Sequence, residues 1–134
     1  MKILSIKKAT PMSTGVIVTC DRYTIEETTT DGIEDVSMTG RIKEVQTIVS
    51  PSKSCIERGI TEGLLVALSY ENYKKVKNVK KNNFGIDEEY DKQVYYEMPV
   101  MVLDGREHML VDISDIELKI DDYEYVEFNE SLIK

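Results

Sequence analysis

No segment of this 134-residue chain sustains the 3.6-residue apolar spacing of a helix, and that restricts it to folds built from strands. Short β-branched runs closed by turn signals recur instead. Val94–Leu103 runs into Asp104-Gly105, and Glu107–Val111 returns. Asp-Gly between apolar runs is a strong hairpin signal, because the turn centre needs φ > 0. Val16-Ile17-Val18-Thr19-Cys20 is a second strand, bounded by Gly15 and Asp21-Arg22. Arg41–Ser50 is a third. Ile42 and Ile48 fall on one parity and Val45 and Val49 on the other, so a bulge or bend is expected near Val45–Gln46. Pro51–Ser54 is a turn signal. Ile60–Leu68 reads as a turn followed by an apolar strand without alternation, either buried on both faces or closing a small barrel. Ile3–Thr10 alternates weakly and stops at Pro11, as a short edge strand does. Single helical turns are expected at Tyr70–Tyr73 and at the Ser114-x-x-Glu117 capping box. Leu118–Ile120 and Tyr123–Phe128 finish the chain in extended form. The expected fold is all-β: one domain over residues 1–134, a small irregular β-barrel with one or two helical turns.

Chemistry-bearing patterns are sparse. Twenty-five acidic against 17 basic residues give a net charge of −8, a poor match for phosphate backbones. Nucleic acid is therefore not an expected partner. Cys20 and Cys55 do not make a disulfide framework and read as small buried hydrophobes in a reducing compartment. Met1–Lys8 holds too short an apolar stretch for a signal peptide, and no run approaches the roughly 20 residues of a spanning helix, so no membrane role is expected. The one histidine, His108, has no evident partner base and reads as structural or solvated. Gly-rich phosphate loops, nucleophile elbows and metal-spaced His or Cys pairs are missing. Asp31, Glu34 and Asp35 lie close together without the carboxylate ladder of a calcium loop. The expectation is a non-enzyme with no catalytic residues, no cofactor and no metal.

Two segments stand out as contact surfaces. Thr24–Gly40 carries five acidic residues, no basic residue and no periodicity, which reads as a long acidic loop. The second segment is an insertion over 70–97. There Lys74–Lys81 places five lysines in eight positions, and Asp87–Asp91 then reverses the charge. Tyr70, Tyr73, Lys74, Lys75 and Lys77 are the candidate contacts, since tyrosine supplies rigid amphipathic area and the lysines suit an acidic neighbour, including another copy of this chain. In such a self-association the basic patch meets the acidic loop head to tail.

Four segments, in order, resemble the small co-chaperonin (GroES-like) fold, and especially the GroES-like structural proteins of tailed bacteriophages. They are Gly15–Thr19, Gly40–Ser50, Ile60–Leu68 and Met109–Ile116. The resemblance covers roughly residues 13 to 121 and implies a short irregular β-barrel with a long loop after its first strand. It implies a virion component made in the host cytoplasm: an auxiliary capsid (decoration or cement) protein or a head-vertex protein that contacts the major capsid protein or other virion subunits. The alternative it implies is a phage co-chaperonin capping a chaperonin ring. In that family the loop docks through consecutive apolar residues, which makes Ile33 and Val36 the candidate partner contacts of the acidic loop, whereas Glu34 and Asp35 separate the two here. The barrel also occurs in enzymes of the alcohol-dehydrogenase type, but this chain has no cofactor domain beside it.

Overall fold

A computed structural model describes residues 1–80, 90–124 and 126. The strands, in chain order, are β1 (Gly15–Thr19), β2 (Thr29–Thr30), β3 (Ile33–Glu34), β4 (Val45–Pro51), β5 (Leu65–Leu68), β6 (Lys74–Lys80), β7 (Tyr90–Tyr96), β8 (Val100–Leu103), β9 (Arg106–Asp112) and β10 (Ile116–Ile120). Two short α-helices, α1 (Ile25–Thr28) and α2 (Lys53–Glu57), and two 3-10 turns at Glu71–Tyr73 and Ile113–Asp115 complete the described residues. The chain is mostly β.

Six strands form one antiparallel sheet in the order β10-β5-β4-β1-β9-β8. One face of it carries the core. Val16 and Val18 of β1, Ile48 of β4, Val66 and Leu68 of β5, and Met109 and Val111 of β9 are buried there with Cys20 and Cys55. Among the described residues the hydrogen-bonded order ends at β8 and β10, so the sheet is open where the sequence led us to expect closure.

The turn at Asp104-Gly105 has φ of 51° and 74°, which is what a two-residue hairpin loop between β8 and β9 requires. The strand read over Val94–Leu103, however, is two strands. Pro99 has no N–H to give a ladder, and the backbone breaks between β7 and β8 with Val100 N donating to Met98 O. The expected bulge is present but displaced. Ile17 opposes Ser50 while Val18 opposes Ile48, so Val49 is the extra residue. Arg41–Lys43 lies outside β4 and contributes only a bridge between Arg22 and Ile42. The run over Ile60–Leu68 narrows to β5, whose side chains alternate between half-buried and buried rather than being covered on both faces. Pro51 closes β4, and Ser52 caps α2 by accepting from Cys55 N, so that segment is a strand end and a helix start. The helical turn near 114 is capped by Asp112 and Asp115, not by Ser114 and Glu117. Of the expected closing strand, Tyr123, Glu124 and Val126 are not in a strand, and the rest lies outside the described residues.

Ile3–Thr10 forms no strand. It crosses the other face of the sheet as a strap. Ile6 O accepts from Asp104 N at 2.7 Å, Ala9 O from Ser50 Oγ at 2.9 Å, and Met12 O from Gly15 N at 3.1 Å. Under it Ile17 (2% exposed) and Leu103 are buried apart from the main core. Gly15 allows the close approach: a Cβ there would stand 3.1 Å from Pro11 Cβ.

Candidate partner-contact surfaces

Two excursions leave the sheet. The first, between β1 and β4, is the acidic segment. Its root is built on Gln46, which takes an inward position of β4 and is fully buried. The Gln46 Oε1 accepts from Thr19 Oγ1 and Asp21 N, both at 2.8 Å, and its Nε2 donates to Asp21 O at 3.0 Å and Lys43 O at 2.8 Å. An amide has two donors and two acceptor positions, and all are filled. Lys43 N donating to Asp21 O and Tyr23 N donating to Arg41 O continue the two-stranded stem.

Beyond the stem the segment is ordered locally, so the loop read from the sequence is a small lobe. Thr24 and Glu27 form a reciprocal capping box on α1. β2 and β3 pair as a two-rung hairpin turning at Asp31-Gly32, with φ of 53° and 77°. Glu27 forms an ion pair with Lys43. The Lys43 ammonium, with help from Thr24, holds the Glu27 carboxyl below the usual carboxylate range. Ile33 and Val36 are each 75% exposed on this lobe.

The second excursion is a ribbon, β6 paired with β7, where the sequence suggested a solvated connection. Its root holds Tyr70 and Tyr73. Tyr73 OH and Asn72 Nδ2 each donate at 2.6 Å to Asp115, a carboxylate only 2% exposed that also accepts from Asp112 N at 3.1 Å. The Tyr70 hydroxyl donates to Lys43 O, so the roots of the two excursions are bonded to each other. Burial pushes the Tyr70 phenol up to about 12; burial and the hydrogen bond to Asp115 raise that of Tyr73. Both hydroxyls are therefore committed inside the chain, and what these two residues offer a partner is ring surface.

Cross-strand pairing sorts the ribbon residues by face. Lys74 with Tyr96, Val76 with Val94, Asn78 with Lys92 and Lys80 with Tyr90 share one face. Lys75 with Tyr95, Lys77 with Gln93 and Val79 with Asp91 share the other, where the Lys77 ammonium lies 5.5 Å from the Tyr95 ring centroid. Both faces are exposed along the whole paired length. Among the candidate contacts, the lysines lie on the ribbon, the tyrosines at its root, and Ile33 and Val36 on the lobe. A groove of about 560 Å³ runs beside this junction, with Arg41, Ile42 and Glu44 on the lobe side and Tyr70, Tyr96 and Met98 on the ribbon side.

Among the described residues no three His, Cys, Asp or Glu side chains are grouped to hold a metal ion. No family model, curated protein or solved structure matches the chain. The residues that sequence reasoning missed are Gln46 and Asp115. Each is a buried polar side chain; the signal for Gln46 is a polar residue on the parity of the buried Ile48, and that for Asp115 is the Asp112-x-x-Asp115 spacing of a capped turn.

Proposed function

We propose that this chain is a non-catalytic structural protein of a bacteriophage virion, an auxiliary capsid or head-vertex component with a GroES-like, incompletely closed barrel. One observation carries the reading. The four segments that resemble the GroES-like phage proteins supply β1, β4, β5 and β9, and these are four consecutive neighbours in the sheet, β5-β4-β1-β9. A scattered coincidence of short motifs has no reason to assemble into one contiguous block. The main core lies on one face of this sheet, whose edges are β8 and β10, and in this reading the sheet is a short irregular barrel left open between those two strands. The lobe and the ribbon then serve as the contact arms, and many weak copies on a particle surface add up through avidity.

Quantitative mass spectrometry of purified virions tests this. Hundreds of copies per particle fit decoration, about a dozen fit a vertex or connector, and absence from the particle rejects the proposal.

The exposure of Ile33 and Val36 between β1 and β4 favours a second reading, a co-chaperonin, since that is where the resembling family keeps its docking loop. Against it, Glu34 and Asp35 stand between the two apolar residues, and burying them in an apolar groove is costly. Chaperonin refolding assays with the intact chain and with residues 31–38 deleted separate the readings. Stimulation that requires those residues supports the co-chaperonin.

A further inference from the structure

An isolated two-stranded ribbon is marginal in water, and this one exposes apolar surface on a defined face. Val76 (57% exposed) and Val94 (51% exposed) pair at the centre of that face. Tyr96 and Tyr90 stand at two corners, and Lys74, Lys80 and Lys92 lie around them. An apolar centre with a charged rim is the make-up of a protein contact patch. The lysines along β6 also discourage edge-to-edge strand pairing, which leaves the face, and not the edge, as the docking element.

The complementary surface is in the same molecule. The lobe carries Glu26, Glu27, Asp31, Glu34 and Asp35 with no basic residue over 24–39. At its tip Ile33 and Val36 bracket Glu34 and Asp35. Apolar side chains flanked by carboxylates match valines flanked by lysines. We infer that the partner of the ribbon is a second copy of this chain, with the Val76–Val94 face of one molecule seated on the Ile33–Val36 tip of the next. The inference rests on reading the chain as a contact protein. It is tested on the purified chain without particles, so it and the virion proposal fail independently.

The experiment is sedimentation velocity on the 134-residue chain across concentration, at about 50 and about 300 mM NaCl. Self-association is expected at low salt, with an apparent Kd about tenfold weaker at high salt because rim charges are screened. Lys74→Glu with Lys92→Glu is expected to abolish it. Lys75→Glu with Lys77→Glu makes the same change in net charge on the opposite face and is expected to leave association within about threefold, since that face is not in the contact. Ile33→Ser with Glu34→Gln and Val36→Ser is expected to give a monomer that nevertheless forms a 1:1 complex with the Lys74→Glu/Lys92→Glu variant lacking the lysines, because each retains the surface the other lost. A wild-type chain that stays monomeric at low salt overturns the inference without recourse to any variant. Equal effects of the two lysine pairs, or failure of the two folded monomeric variants to combine, also overturns it.

Discussion

Gln46 shows how much one side chain can organise. It links Thr19, Asp21 and Lys43, so β1, β4 and the stem of the lobe share one buried amide. Gln46→Leu keeps the volume but takes away the acceptor of Asp21 N and of the Thr19 hydroxyl, while Asp21 O keeps Lys43 N and Lys43 O keeps the Tyr70 hydroxyl. It is expected to cost about 2–4 kcal/mol by urea unfolding, well beyond a typical surface change. The same residue explains a misreading. Along β4 the polar Gln46 occupies a core position, so the alternation looks broken there, while the true irregularity is the extra residue Val49. Period alone cannot distinguish a polar residue facing solvent from one satisfied inside. Tyr70 sets a pH limit. Its folded-state pKa, about 12, lies above the ordinary phenol value of roughly 10. The stability tied to its neutral form is complete below the ordinary value and is lost as pH rises through the folded one. Tyr70→Phe is expected to flatten that part of the alkaline stability profile, measured by denaturant unfolding at pH 9 to 12.

At the scale of elements, legibility followed burial. β1, β5 and β9 each put side chains into the core, and their short apolar runs announced them. Asp104-Gly105 was readable for a different reason, since its φ requirement is local and owes nothing to packing. The ribbon was not readable. Neither of its faces is buried, so nothing imposes alternation on Lys-Lys-Val-Lys-Asn-Val-Lys. The lobe carried a legible sign, the Thr24-x-x-Glu27 box, in a stretch whose lack of apolar residues pointed to a loop. The candidate lysines came from composition and Ile33 and Val36 from the family resemblance, but which face each lysine occupies follows only from the register of β6 with β7. Because the ribbon places nothing in the main core, it is separable. Replacing residues 75–95 with Asn-Gly between the paired Lys74 and Tyr96 is expected to change unfolding free energy by less than about 0.5 kcal/mol.

For the whole molecule, the sheet is covered twice. One face closes on the core and the other is roofed by the N-terminal strap over Ile17 and Leu103. Removing residues 1–11 is expected to uncover that second apolar layer. A marked rise in binding of a hydrophobic dye, together with a lower unfolding midpoint, is the measurement that checks it. The strap is held by the main-chain oxygens of Ile6, Ala9 and Met12, and none of these hydrogen bonds uses a side chain of the strap, although Ser50 supplies its hydroxyl to Ala9 O. Its lettering is thus largely free to drift while its path stays put, provided position 15 remains a glycine and the few half-buried residues stay apolar. Sequence divergence there would carry little information about fold, and the opening stretch of the chain is the place to graft a label without disturbing either arm.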